Sequence, residues 1–402
     1  MAGTRAVIRL KEGKQMALSA GRPWVYRGEI ARVDGSPSTG DLATVVDARG
    51  EFVATAFYHT QSLLAARVLT RQMEESVDDA FFTRRLEQAW QLRVRLLDNP
   101  RVCRAVFAEA DGIPGLVADR YEDVLVVQTL VAGTDQRLAQ LARELVRITG
   151  VAHVLERNEG PVRRLEGLPE RVGSLLGAPP DAVEIREGDV RLRVDLRGGQ
   201  KTGHFLDQRE NHQAFGKLLG RLLAPDGPVR VLDAFCHTGG FGLAALATGA
   251  TEVTFLDQAA PALASVRGNA ILNGFSGAQT VEANAFDHLR ALVRAGEQFD
   301  AVVLDPPAFA RGRAQLDAAY RGYKEINLRA MRLVRPGGVL CSCSCSQPVT
   351  HSMFGEMLAD AAADAGRRVR VLEVRGAPPD HPGLVGAGET SYLKCFHLQM
   401  IE

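Results

Sequence analysis

The chain lacks net charge: 48 basic residues stand against 48 acidic ones, and 46% of residues are hydrophobic. That balance excludes wholesale disorder. It lacks long apolar runs as well. No window approaches ~18 uninterrupted apolar residues, so neither a spanning helix nor a membrane partner is expected. The N-terminus MAGTRAVIRL has no apolar h-region, and no secretory signal is visible. Lysine is scarce, confined to Lys11, Lys14, Lys201, Lys217, Lys324 and Lys394. With abundant Ala and Gly, this excess of Arg fits a GC-rich genome better than a nucleic-acid partner. The six cysteines show no disulfide spacing pattern. A reduced, cytoplasmic protein is the expectation. What is present is length: 402 residues, enough for two or three domains at about 150 residues each.

No internal repeat or long low-complexity tract interrupts the chain. Residues 5–70 read as short strands with Gly and Pro punctuation (AVIRL, VYRGEIARV, LATVVDA, FVATAFY, LLAARVL), the pattern of a small β-barrel or sandwich. Residues 78–97 carry apolar residues at helical spacing, started by Asp78 and Asp79 and ended by Asp98-Asn99-Pro100. From 103 to 197, strands, one helix over DQRLAQLARELVRIT and further strands predict a compact α+β unit. From about residue 200, buried β runs alternate with helices: VRVLDAF, EVTFLD, AQTVEA, FDAVVLD and GGVLCSCSC. This predicts an α/β, doubly wound parallel sheet. RVRVLEV and SYLKCFHLQMI can add two last strands, in antiparallel sense.

Chemistry concentrates at the ends of these strands. VRVLDAF runs into Cys236-His237-Thr238-Gly239-Gly240-Phe241, where glycines let a ligand approach the backbone closely. The full G-x-G-x-x-G dinucleotide spacing is missing. EVTFLD ends in Asp257, about 20 residues past that turn, where an acid commonly binds ribose hydroxyls. A helix cap explains Asp257 equally well. The third strand leads to Asn284-Ala285-Phe286-Asp287, a place for an adenine ring. The fourth ends in Asp305-Pro306-Pro307-Ala308-Phe309. Two prolines after an acid make a rigid shelf, and Asp305 faces the crevice beyond the strand ends. Gly203-His204-Phe205-Leu206-Asp207-Gln208-Arg209 reads, on its own, as a linker and helix cap.

Along the fifth strand Cys341, Cys343 and Cys345 share one face, with Cα atoms roughly 6.6 Å apart, near the upper limit for a disulfide. No His or Cys pair elsewhere completes an obvious zinc site, so no metal is expected. Cys341 and Cys343 read as small buried filler. Cys345 stands at the strand's carboxyl end beside Asp305, where a thiol with lowered pKa can act as a nucleophile.

Together KTGHFLDQREN, VLDAFCHTGGF, DPPAF, RGYKEIN, CSCSCS and DHP at 380–382 resemble the class I S-adenosylmethionine-dependent methyltransferases. More narrowly, the chain resembles the RlmI family of bacterial large-subunit rRNA cytosine-5 methyltransferases, over its whole length. The resemblance implies a PUA-like RNA-binding β-barrel over 1–75, a bridging helix with a central α+β domain over 76–190, and a Rossmann-like methyltransferase domain over 191–402. It implies S-adenosylmethionine held by Gln208, Arg209, Phe235, His237, Thr238, Gly239, Gly240, Asp257, Asn284, Ala285 and Asp305. It implies Cys345 as nucleophile, Asp305 contacting the cytosine, and Pro306, Pro307 and Phe309 bordering the substrate. The implied partner is RNA, as 23S rRNA or the large ribosomal subunit, and a homodimer is left open. His237 replaces the family's common Tyr, Asn284 a common acid and Gln347 a usual Gly.

Arg84, Arg85, Arg93, Arg95, Arg101 and Arg104, with Lys11, Lys14, Arg22 and Arg27, are candidate RNA contacts or plain solvated faces. Two rivals remain. An adenine N6 methyltransferase would leave Cys345 without a task, and Ala308 separates Pro307 from Phe309. A non-catalytic RNA-binding assembly factor would have no use for intact Gly239, Gly240, Asp257 and Asp305.

Overall fold

The computed structural model describes residues 5–222 and 227–401. They form two compact units: one of the chain up to Val183 with Asp195–His204 and Pro379–Thr390, the other of Glu184–Val194, Phe205–Pro378 and Ser391 onward. Among the described residues no helix is long and apolar enough to cross a membrane.

The first unit begins with six strands: β1 (Ala6–Leu10), β2 (Trp24–Tyr26), β3 (Ile30–Asp34), β4 (Leu42–Val46), β5 (Phe52–Tyr58) and β6 (Leu64–Thr70). Their order is β2-β6-β5-β4-β1-β3, with only β1 and β4 parallel. Ile8, Leu10, Val25, Val45, Ala54, Ala56 and Val68 fill the core. The run VYRGEIARV is not one strand. A single turn at Arg27–Glu29 splits it, and the Glu29 carboxylate accepts the Tyr26 N–H at 2.9 Å.

The helix Asp79–Leu96 starts where Asp78 accepts the Phe81 N–H at 2.9 Å. Its apolar stripe, Phe81, Phe82, Leu86, Ala89 and Trp90, packs on a five-stranded sheet. That sheet runs β11-β10-β9-β8-β7, from β7 (Val102–Phe107), β8 (Leu116–Tyr121), β9 (Val124–Thr129), β10 (His153–Asn158) and β11 (Arg171–Leu176). The sequence reading passed over β11, whose RVGSLL lacks a clean period of two.

The hairpin of β12 (Ala182–Glu187) and β13 (Val190–Asp195) lies mostly in the second unit. The main sheet there uses β14 (Arg230–Ala234), β15 (Glu252–Asp257), β16 (Ala278–Glu282), β17 (Phe299–Leu304), β18 (Val334–Ser344), β19 (Val369–Arg375) and β20 (Lys394–Met400). Their order is β16-β15-β14-β17-β18-β20-β19. The first five are parallel, and β20 runs antiparallel between β18 and β19. This is the expected Rossmann-like α/β sheet with two antiparallel additions. Every residue of β17 is buried, as a strand covered on both faces requires. The chain works outward from β14 to β16, then returns to β17 beside β14. That reversal opens a ligand crevice beyond the strand ends.

Candidate active site

The chain leaves β14 through a strained turn. Phe235 (φ 62°) and His237 (φ 47°) are left-handed without being glycine, and Gly239 (φ 89°) precedes the helix Gly240–Ala247. Such backbone costs free energy and concentrates at functional sites. Gly240 is required by contact: a Cβ there would meet the His212 ring at 2.2 Å. His212 is itself held at 3.0 Å by Glu187 of the hairpin.

Asp257, at the end of β15, faces this turn. Its carboxylate accepts the His237 N–H at 3.0 Å and the Ala259 N–H at 2.9 Å. It therefore does cap the following segment. A carboxylate accepts about four hydrogen bonds, so capacity remains for a ligand. Asp233, inside β14, accepts the Gly242 N–H at 2.9 Å and leaves Oδ1 without a hydrogen-bond partner among the described residues. Burial, reinforced by Asp257, pushes its pKa up to about 7.

Gln208 donates to Asp305 Oδ1 at 3.0 Å and is itself held by Asn211 at 2.6 Å. The stretch before the helix Arg209–Leu222 is thus more than a linker. Asp305 is half-buried as a residue, yet its carboxyl is enclosed. Burial first, then Cys343 and Asp207, raise it well above the usual carboxylate range. Arg209 is buried nearby in sequence, and Phe205 packs edge-on against His237, ring centres 4.7 Å apart.

Strand β18 has two chemically distinct faces. Ser342 donates to Asn327 at 2.6 Å and Ser344 to the Tyr323 hydroxyl at 3.0 Å. Ser346 Oγ lies 2.8 Å from the same hydroxyl and accepts the Ala310 N–H at 3.1 Å. These bonds tie the Asp305–Phe309 shelf to the segment following Cys345. The Cys345 thiol is half-buried, 3.9 Å from the Pro306 carbonyl. Under that segment sits Lys394, 1% exposed, donating to the carbonyls of Ser346 (2.7 Å), Val349 (2.8 Å) and Tyr392 (2.7 Å). Burial lowers its pKa to about 8, opposed by the nearby Cys345.

The structure thus brings Gln208, Asp305, Pro306 and Cys345 together, and separately His237 and Asp257. Phe235, Phe286, Phe309 and Tyr323 form a line of aromatic contacts, with ring centres 6.4, 5.8 and 4.5 Å apart. Asn284 spends its Oδ1 as a cap on the Phe286 and Asp287 N–H groups, and Ala285 begins that helix. Pro307 is exposed.

Sequence reading missed Lys394 and Asp233. Their only signal was a charge within an apolar strand. It also gave Arg93 as a surface charge, whereas the guanidinium is fully buried on Asp111 (2.7 Å) and the carbonyls of Ala89, Arg104 and Asp380. Arg104 grips Asp119 through two bonds of 2.8 Å. Both serve the first unit's core rather than solvent. Asp380 of the DHP motif belongs to that unit too, accepting the Arg104 N–H at 2.9 Å.

A family model for S-adenosylmethionine-dependent methyltransferases matches residues 109–395, and one for PUA-like domains matches 8–71. The chain is 42% identical to the ribosomal RNA large subunit methyltransferase I of Aeromonas hydrophila, covering 97% of this chain and 98% of that one. It is 40% identical to the protein of the same name from Vibrio cholerae, covering 98% and 99%. Its fold is similar to a protein of Streptococcus mutans assigned as a SAM-dependent methyltransferase (TM-score 0.81, 18% identity, 98% and 100% covered). A crystal structure of an assigned methyltransferase complexed with SAH is similar to the same degree (TM-score 0.83, 18% identity, 98% and 99% covered). These two likenesses speak to fold; the sequence identity over nearly the full length speaks to family. The chain belongs to the S-adenosylmethionine-dependent methyltransferases, within the ribosomal RNA large subunit methyltransferase I family.

Proposed function

We propose that this enzyme methylates carbon 5 of a cytosine in large-subunit (23S) rRNA through a covalent bond between Cys345 and carbon 6. The observation that carries this reading is the position of Cys345: at the end of β18, 3.9 Å from the Pro306 carbonyl, beside the enclosed carboxyl of Asp305. The rRNA substrate is taken from the names of the full-length relatives. The PUA-like segment would supply RNA affinity outside the methyltransferase fold.

The donor set fits S-adenosylmethionine. Asp257 would take the ribose hydroxyls with the lone pairs left after His237 and Ala259. The backbone from Phe235 through Thr238 to Gly240, with Gln208 and Arg209, would border the amino-acid end. The Asn284–Ala285 step would border the adenine. The bound cofactor supplies the methyl group.

Carbon 5 of cytosine is a poor nucleophile. Attack of the Cys345 thiolate on carbon 6 forms a carbon–sulfur bond and makes carbon 5 enamine-like. Negative charge develops toward N3 as that bond forms. Asp305, whose buried carboxyl holds its proton more tightly than an ordinary carboxylate, would donate a hydrogen bond there. Pro306, Pro307 and Phe309 would hold the base flat on the shelf. After carbon 5 is methylated it loses its proton to a base, and the carbon–sulfur bond breaks to release Cys345.

The test is methylation of 23S rRNA and of large subunits with labelled cofactor, followed by nucleoside analysis. 5-Methylcytosine is expected, and methylated adenine as the product overturns the reading. RNA carrying 5-fluorocytosine should trap a covalent complex, because fluorine blocks the final proton removal. Cys345→Ala should bind cofactor, trap nothing and methylate nothing.

A further inference from the structure

Four side chains that the reaction does not use converge beneath the catalytic strand end. Register across the antiparallel pair sets Cys341 opposite His397 and Cys343 opposite Cys395. With a period of two along each strand, all four leave the same face of the sheet. All four are 0% exposed. Cys341 Sγ lies 3.6 Å from Cys395 Sγ and 4.0 Å from Cys343 Sγ, and Cys395 Sγ lies 3.7 Å from His397 Nε2. The ligand atoms of Cys341, Cys395 and His397 all fall within 4.8 Å of one another.

These are the dimensions of a metal site. A tetrahedral zinc ion with Zn–S of about 2.3 Å and Zn–N of about 2.0–2.1 Å sets S···S edges near ~3.8 Å and S···N edges near ~3.6 Å. Register alone brings these side chains near one another, but a fully buried imidazole among thiols is poor apolar filler. The far nitrogen of His397 lies 3.4 Å from Glu373 Oε2 on β19. That nitrogen makes no hydrogen bond among the described residues, and Glu373 is the carboxylate placed to accept from it, as carboxylates do for metal-bound histidines. Separation along the chain, more than 50 residues between Cys343 and Cys395, hid the cluster from spacing rules.

We propose that Cys341, Cys395 and His397 bind a structural zinc ion. Two thiolates and an imidazole select zinc over magnesium or calcium. The site pins β18 to β20 through Cys341, four residues before Cys345, with its ligands fully buried. The inference stands whichever base the enzyme methylates.

Full-length protein from zinc-supplemented cells, purified without chelator, should carry about one zinc per chain by elemental mass spectrometry. Cobalt exchanged into the site should show thiolate-to-metal charge-transfer bands. Cys341→Ala and Cys395→Ala should each lower zinc content at least ~tenfold, whereas Cys345→Ala should retain it. Glu373→Gln acts from outside the buried cluster and should leave the fold intact. It should weaken zinc affinity about tenfold. Chelator should lower the wild-type Tm, with recovery on zinc but not on magnesium. Folded, cofactor-binding protein that is zinc-free overturns the proposal. So does zinc retained equally by the Cys341 and Cys395 variants, or a Cys343–Cys395 disulfide in unreduced protein.

Discussion

Lys394 donates its ammonium to the Ser346 carbonyl at 2.7 Å, one residue beyond Cys345. A fully enclosed cation therefore fixes the segment that carries the thiol out of β18. Two further carbonyls, of Val349 and Tyr392, complete its hydrogen bonds.

Lys394→Met should lower kcat about tenfold to a hundredfold, for lost charge-assisted bonds worth roughly 1.5–3 kcal/mol. A neighbouring cation also favours a thiolate. The alkylation rate of Cys345 should therefore shift to higher pH in the variant. An unchanged alkylation profile with only a lower Tm would reduce Lys394 to a structural brace.

Asp257→Ala tests the cofactor side. Loss of charge-assisted hydrogen bonds to the ribose, roughly 1.5–3 kcal/mol, should weaken S-adenosylmethionine about tenfold to a hundredfold by calorimetry. The His237 and Ala259 N–H groups lose their acceptor as well. Circular dichroism on the same sample checks that the turn still folds. Unaltered affinity in a folded variant removes Asp257 from the site.

On the proposed mechanism Asp305 gives the reaction a pH limb. Its pKa is raised, so a proton offered to N3 would be present at low pH and leave as pH climbs through the raised value. kcat/KM should fall on that alkaline side. Asp305→Asn keeps an N–H donor that does not titrate. Its rate should be lower and that limb flat; a limb identical to wild type assigns the titration elsewhere.

Asp233 links pH to stability. Its folded pKa of about 7 lies above the ordinary 3.8, so the folded state holds the proton more tightly. The stabilisation is full below the unfolded pKa and is lost as pH rises through about 7. Between those values the slope approaches ~1.4 kcal/mol per pH unit. Asp233→Asn still offers an oxygen to the Gly242 N–H. Urea unfolding from pH 5 to 8, a range of about three units chosen to span the titration, should show a shallower loss in the variant. Equal slopes would exclude Asp233 as the linked group.

Much of this was legible in local pattern. The unbroken apolar run of β17 announced a strand buried on both faces, and Asp78 announced its helix. The glycine turn after β14 and the Asp305–Phe309 shelf stood where strand ends had to be. Each depends on residues a few positions apart, whose backbone preferences and burial period are written in order along the chain. Other features were not legible that way. VYRGEIARV has the composition of one strand, but a turn closed by Glu29 divides it.

Pairing between distant segments decided the rest. Insertion of β20 between β18 and β19 brings Lys394 under Ser346 and sets His397 opposite Cys341. The same kind of closure buries Arg93 on Asp111 and on the Asp380 carbonyl, in a helix whose other arginines look identical in sequence. A charge or a thiol carries no mark of its burial. Its environment is set by which strand docks beside it and in what register, and a shift of one residue would turn each of these side chains to the opposite face.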